Sequence, residues 1–511
     1  MLKTNSLSIV ILILISSWGC TLSEEKEVLP NIVFILADDL GYGETGAYGQ
    51  EIIRTPNIDA LARSGLKFTQ HYAGSPVCAP SRYILLTGQH AGHAYIRGND
   101  EWNERGDVWD FKAMLDDPTL EGQRPIPDST VTIAELLKTK GYTTGLFGKW
   151  GLGAPQTKGV PTAQGFDTFY GYNCQRQAHS LYPTHLWHND ERVYLNNDFV
   201  APHTSLDTAS DPNDWESYRA FEQTDYAPAK IHEAALDFIH SNARQPFFLY
   251  YASPLPHLPL QVPNAERSKY RDLIRENEPY KGDRGYFPNQ YPRAAYAAMI
   301  SYLDQQVGEL IQQLKDQGIY ENTLIILTSD NGPTYTGGVD FDFFDSSLPF
   351  SNGYGRTKGF VYEGGIRVPM IASWSGKIQP GISDHISAFY DWLPTLCEVA
   401  GVPIPPSTDG ISILPTLLGN SQSQHEFLYW EFPSYQGQQA VRMGDFKAIR
   451  QRMFEGNLEI ELYNVTLDPL EQTDLADQFP EQVQRAIEIM EAEHKTAQIE
   501  RFRFPVLGET K

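Results

Sequence analysis

The sequence predicts an α/β fold: a large, mostly parallel (mixed) sheet flanked by helices, with a smaller C-terminal subdomain of antiparallel sheet plus helix. Three observations carry this. The apolar runs IVFIL at 32–36, FFLYYA at 247–252 and LIIL at 324–327 are unbroken, as in strands buried on both faces, and each gives way to polar or Pro-rich sequence. Segments with helical spacing alternate with such runs, the order a parallel sheet needs. From about Ser421 the signals change to FLYWEF, QAVRMGDFKAIRQ and LEIELYNV, alternating or aromatic runs suited to a small antiparallel sheet.

Met1 to Trp18 carries Lys3 and then an unbroken apolar run from Ile9 to Ile15. That run falls short of the ~18 to 20 apolar residues a membrane span requires, so residues 1–20 read as an export signal and leave the fold argument. Gly19 before Cys20 resembles the end of a bacterial lipobox, with Ser17 where Leu is usual. Lipidation of Cys20 and ordinary cleavage nearby both stay open, and either delivers the protein to the periplasm or surface of a bacterium. Residues 28–420 then make the main domain and 421–511 the smaller one.

Sixty-four acidic against 40 basic residues give a formal charge of −24. Nucleic-acid binding rests on neutralising phosphates with Lys and Arg, so that partner class is excluded. An anionic small substrate would need locally placed cations. Of the four cysteines, Cys174 and Cys397 are the pair whose free or disulfide state the sequence leaves undecided.

The first strand ends abruptly in Asp38 and Asp39, where ligands of open α/β sheets sit. Adjacent Asp residues also cap turns, but two carboxylates repel unless a cation lies between them. TPNIDALARSG reads as a short helix stopped by Gly65, followed by a strand toward Cys78. Pro80 sits where proline favours a helix start, so Cys78 falls at the positive end of a helix with Arg82 one turn along. Thr132 and Glu135 make a capping-box pattern, Gly141 stops that helix, and a strand leads to Lys149.

Residues 165–187, rich in Tyr, Trp, His, Arg and Gln, suit stacking and hydrogen bonding to sugar rings, with Arg176, His179 and His185 as candidate carbohydrate contacts. Residues 201–214 read as an exposed polar loop. His257 lies in a Pro-rich loop at a strand end. Apolar residues at helical spacing place a helix over 294–318, and the strand after it ends in Asp330 and Asn331. With Asp38 and Asp39 these form an all-oxygen set that favours Ca2+ or Mg2+ over Zn2+. A Gly-rich loop then carries Lys358, SAFYDWLPTLCEVAG closes the main domain as a helix, and a final helical stretch runs from Glu481 to Arg501.

The string Cys78-Ala79-Pro80-Ser81-Arg82 followed by LTGQ resembles the signature of the type I, formylglycine-dependent sulfatases of the alkaline phosphatase superfamily. The 165–187 segment looks like that of bacterial polysaccharide sulfatases. The resemblance implies an alkaline-phosphatase-like sheet and an arylsulfatase-like sulfuric ester hydrolase acting on a sulfated carbohydrate. It implies a maturation enzyme that converts Cys78 to formylglycine, whose hydrate is the nucleophile, and one Ca2+ on Asp38, Asp39, Asp330, Asn331 and residue 78. It further implies sulfate contacts from Lys149 and Lys358, orientation by Arg82, proton acceptance by Asp330 and a leaving-group proton from His257. One departure stands out: relatives commonly carry His two residues after the lysine, and this chain has Gly151. Two rival functions stay open, a phosphate mono- or diesterase of the same superfamily and a surface carbohydrate-binding protein with a decayed active site.

Overall fold

A computed structural model describes residues 29–510; the expected export signal and Cys20 lie outside the described residues. Five parallel strands form the centre of a ten-stranded sheet, in the order Thr323–Ser329, Asn31–Ala37, Phe247–Ala252, Thr143–Lys149, Thr168–Tyr172. Beyond Thr323–Ser329 lie Met370–Ser373 and Leu66–Phe68, each antiparallel to its inner neighbour, and then Gly381–Ser383. The antiparallel strands His185–His188 and Glu191–Tyr194 extend the other side.

The central strands are apolar throughout because both faces are covered. Along Asn31–Ala37 every residue is buried. Ile32, Phe34 and Leu36 enter one core with the helices Cys78–Thr87, Ile133–Lys138 and Trp392–Ala400. Val33, Ile35 and Ala37 enter the other with Pro56–Ser64, Ala227–Asn242 and Pro292–Asp316. Since the five strands run parallel, their carboxyl ends share one edge, and the polar residues that end them converge there.

A separate antiparallel sheet of Leu428–Phe432, Gln438–Met443, Phe446–Arg450 and Glu461–Asn464 follows. It packs against the helix Pro480–Glu493, shorter than the expected 481–501. His494 turns to extended backbone and its ring bonds Glu431 at 2.8 Å, which diverts the chain before Arg501. At the far end of the Cys78–Thr87 helix, His90 and His93 stack and bond Glu493 and Asp409, tying that helix to its C-terminal partner. Cys174 and Cys397 are free, buried thiols. No helix among the described residues is long and apolar enough to cross a membrane.

Buried charge ties the C-terminal sheet to the short helix Glu363–Ile366. Lys447 is fully buried between Glu363 at 2.9 Å and Glu471 at 3.0 Å, and Glu363 also accepts from Tyr72 and Arg367. Removing the cation leaves Glu471 without a positive partner in the interior and Glu363 with Arg367 alone, and Glu471 is already pushed up to about 7 by burial despite Lys447. Lys447→Met is expected to destabilise by about 3–5 kcal/mol, read as a fall in apparent Tm. Adding Glu471→Gln should recover part of it; an unchanged Tm in the single variant would show that this pairing does not hold the C-terminal sheet to the Glu363–Ile366 helix.

Candidate active site

The site is assembled from the carboxyl ends of four parallel strands and the start of one helix. The strand ladder continues just past Ala37, where Asp38 N–H donates to Leu255 O and Asp330 N–H donates to Ala37 O, both at 3.0 Å. This holds Asp38, Asp330 and the His257 loop together. Asp39 takes a left-handed backbone, φ 66°, uncommon for a residue other than glycine, and its N–H donates to Asp330 Oδ1 at 3.1 Å. Side chains of consecutive aspartates thereby reach the same pocket.

Cys78 is the first residue of the helix Cys78–Thr87, after Val77 in extended conformation, and Gly88 closes the helix with a left-handed cap. All ten residues are buried. Cys78 Sγ lies 3.3 Å from Asp38 Oδ1 and 3.6 Å from Lys149 Nζ. One turn on, Arg82 donates from Nε and Nη2 to Asp330 Oδ2 at 3.1 and 2.9 Å, from Nη1 to Lys149 O at 2.7 Å, and sits 3.3 Å from Asp38. Lys149 Nζ is 2.6 Å from Asp38 Oδ2. Lys358 arrives on a loop pinned by Gly359 N–H to Pro76 O, next to Cys78, and places Nζ 2.6 Å from Asp39 Oδ2.

Three carboxylates therefore face three cations. Burial opposes ionisation of Asp38, but Lys149, His257, Arg82 and Lys358 outweigh it and hold its carboxyl well below the usual range. Burial and the Asp38 charge win at Asp39, which is raised. At Asp330 burial with Asp38 nearby overcomes Arg82, and the carboxyl is pushed up to about 7. Burial likewise raises the Cys78 thiol.

The residues fit a hard dication. Asn331 Nδ2 donates to Asp39 Oδ1 at 2.8 Å, while its Oδ1 is buried beside the aspartates without a partner among the described residues. A carbonyl oxygen left bare among carboxylates is what an oxygen-ligated cation would satisfy. Donor atoms of Asp38, Asp39, Cys78 and His257 also lie within 4.8 Å of one another. His257 Nδ1 donates to Leu258 O at 2.6 Å, leaving Nε2 on the pocket side, 3.7 Å from Asp39 Oδ2. Burial, Lys358 and Lys149 hold that imidazole well below its ordinary range.

The sequence-derived carbohydrate contacts divide. His179 lies at the site, its ring stacked on His257 with centroids 5.5 Å apart. His185, 2% exposed, instead donates from Nε2 to Glu121 at 3.0 Å and has Nδ1 3.1 Å from the Thr184 hydroxyl, so both nitrogens are used internally. Arg176, 1% exposed, pairs with Glu101 and the carbonyls of Leu120 and Gly122. Both are spent on internal partners; apart from the adjacent Thr184 these lie 54 to 75 positions away, which sequence spacing does not reveal. The 201–214 loop is mostly exposed, as expected, except that His203 turns inward onto His179. Gly151 has φ 83°, and a Cβ there would meet Gln175 Nε2 at 2.4 Å, so Gln175 occupies the space a side chain at 151 would need.

The family model described as "Sulfatase" matches residues 30–402, and one described as "N-sulphoglucosamine sulphohydrolase, C-terminal" matches 354–498. The chain is 34% identical over 436 residues to arylsulfatase A of Homo sapiens, covering 82% of this chain and 74% of that protein. It is 31% identical over 441 residues to N-acetylgalactosamine-6-sulfatase of Canis lupus familiaris, covering 82% and 71%. Among solved structures, Ps i-CgsB, also solved in complex with k-i-k-neocarrahexaose, superposes with a TM-score of 0.68 at 25% identity over 91% of this chain and 94% of that one. A phosphonate monoester hydrolase of Agrobacterium radiobacter shares the fold, with a TM-score of 0.58 at 20% identity over 91% and 96%. Matched over 30–402, which includes Cys78 and every residue gathered around it, the chain belongs to the sulfatase family, enzymes that hydrolyse sulfate esters.

Proposed function

We propose that this sulfatase removes sulfate from a sulfated carbohydrate, with the formylglycine hydrate made from Cys78 as nucleophile and one Ca2+ in the aspartate cluster. The observation that carries the reading is the placement of Cys78 at a helix start, within 3.6 Å of Lys149 and 3.3 Å of Asp38, beside a pocket that also holds Arg82, Lys358 and His257. Sγ there stands in for the hydroxyl oxygens of the hydrate. The family implies a metal site, and Asp38, Asp39, Asp330 and Asn331 would hold the ion. Bound there, Ca2+ would supply positive charge against a sulfate oxygen and a hydroxyl of residue 78. Sugar relatives support the substrate class: an N-acetylgalactosamine-6-sulfatase and a neocarrahexaose complex occur among the similar proteins.

The chain's own residues do the remaining work. Lys149 and Lys358, resting on Asp38 and Asp39, are placed to hold the sulfate oxygens. Arg82, locked by Asp330 and Lys149 O, orients residue 78, and Asp330 accepts its proton as the oxygen attacks sulfur. The S–O bond to the sugar breaks, and His257 Nε2 delivers a proton to the departing alkoxide. Because burial and two lysines disfavour the imidazolium, that proton is best held once the sulfate anion offsets the lysine charge. A hydrated aldehyde supplies a second hydroxyl whose deprotonation expels sulfate and restores the carbonyl, a route a thiol or single hydroxyl lacks. The maturation enzyme is the implied partner, and export is the implied destination.

The test is to assay matched sulfate and phosphate esters side by side, with a panel of sulfated oligosaccharides, on protein co-expressed with a maturase. Sulfate release is the expected result. Preferential phosphate release favours the phosphoesterase, and carbohydrate binding without either favours the decayed enzyme. Lys358→Ala is expected to lower kcat/KM by about 10²–10³, measured as free sulfate; an unchanged rate would move the sulfate pocket elsewhere.

A further inference from the structure

Beside His257 a chain of ring and backbone groups is left unused by the steps above. Tyr286 N–H donates to His203 Nδ1 at 2.9 Å, and His203 Nε2 lies 2.9 Å from His179 Nδ1. A backbone N–H only donates, so His203 Nδ1 accepts, and a neutral His203 carries its proton on Nε2. That proton is given to His179 Nδ1. Neutral His179 in turn carries its own proton on Nε2, at the end of the ring away from His203, and this nitrogen makes no hydrogen bond among the described residues.

The arrangement is held in place on several sides. The His179 ring is nearly parallel to His257, 16° between planes, and Tyr286 packs edge-on to both at 5.1 and 5.9 Å. His203 and Tyr286 both adopt left-handed backbone, φ 69° and 63°. Residues other than glycine hold that conformation at a cost, and it persists where surrounding contacts fix it, often at functional sites. Burial, with His257, His203, Lys149 and Lys358 close by, keeps His179 well below the ordinary histidine range and so uncharged.

We propose that His179 is a further catalytic residue, a neutral Nε2–H donor to an oxygen of the bound sulfate ester, and that His203 and Tyr286 are positioning residues fixing its tautomer. The proposal rests on the sulfatase reading of this pocket. A donor of fixed direction and no net charge adds recognition to a pocket that already holds Arg82, Lys149 and Lys358. A hydroxyl or water in place of His203 could donate or accept, whereas a group at 203 that accepts from the Tyr286 backbone N–H on one side is left to donate to His179 on the other.

Nitrogen NMR of isotope-labelled histidines reads the tautomer directly, with the His179 signals identified as those missing in His179→Gln. The expected result is Nε2–H with bare Nδ1 in the wild type, a mixture in His203→Leu, and recovery in His203→Gln, whose amide can still donate to His179 Nδ1. On the same proteins, binding of inorganic sulfate by calorimetry and turnover of nitrophenyl sulfate by the matured enzyme are measured. His179→Ala should weaken sulfate binding and lower kcat/KM by roughly 10- to 100-fold each, and His179→Gln, which keeps a donor, should regain most of that. An Nδ1–H tautomer in the wild type, or a His179→Ala protein that binds sulfate and turns over as the wild type does, overturns the proposal. If the matured wild type releases no sulfate at all, the sulfatase mechanism fails by itself, and the tautomer and sulfate-binding measurements still decide the role of His179.

Discussion

Cys78→Ala is expected to lower sulfate release by on the order of a million-fold, the loss seen when a covalent nucleophile is deleted. The variant should keep the fold, because one sulfur atom is removed from a helix start whose neighbours Ala79 to Thr87 remain packed. Arg82 still pairs with Asp330, and Lys149 still pairs with Asp38, so apparent Tm and bound-ion stoichiometry serve as controls. Cys78→Ser is the more telling partner. Its single hydroxyl can reach sulfur but has no second hydroxyl to release the product, so at most one turnover per molecule is expected. Sustained turnover by either variant would remove residue 78 from the chemistry.

Stripping divalent ions is expected to lower sulfate release by about 100-fold or more, with restoration by Ca2+. Asp38, Asp39 and Asp330 are buried together, and in the proposed mechanism Lys149 and Lys358 turn to the sulfate and Arg82 to residue 78. A ligand that binds the folded state alone stabilises by about 2.7 kcal/mol at a hundredfold excess over its Kd, so Ca2+ should also raise the apparent Tm of the chelated protein. Asp39→Ala should abolish that rise. The competing donor set of Cys78 and His257 with Asp38 and Asp39 is softer and would suit Zn2+. Restoration by Zn2+ and not by Ca2+ would assign the ion to that set instead.

Much of this site is legible before any fold is known, because strand ends announce themselves. Apolar runs that stop at Asp38-Asp39 and Asp330-Asn331, and strands that run up to Lys149 and the Pro-rich loop of His257, place chemistry at one edge of a parallel sheet. The start of a helix at Cys78 follows from Pro80 and the apolar run after it. Pairings between distant loops are not legible in this way. Glu121 claims His185 and Arg192, and Glu101 claims Arg176, so residues that look ready for a sugar are spent inside the protein. His203 lies in a polar stretch with no periodicity, and its left-handed backbone, the Tyr286 N–H and ring contacts from Phe111 and Tyr286 hold it against His179. The C-terminal helix stops early for the same reason, since the Glu431 that captures His494 lies on a separate strand.

The proposed chemistry depends most on residue 78 bearing an aldehyde. The decisive measurement is the fraction of residue 78 converted, by mass analysis of its peptide, set against specific activity across preparations made with and without a maturase. Turnover proportional to the aldehyde fraction, extrapolating to none at zero conversion, is the expected result. Full activity in protein whose residue 78 is an unmodified thiol would contradict it.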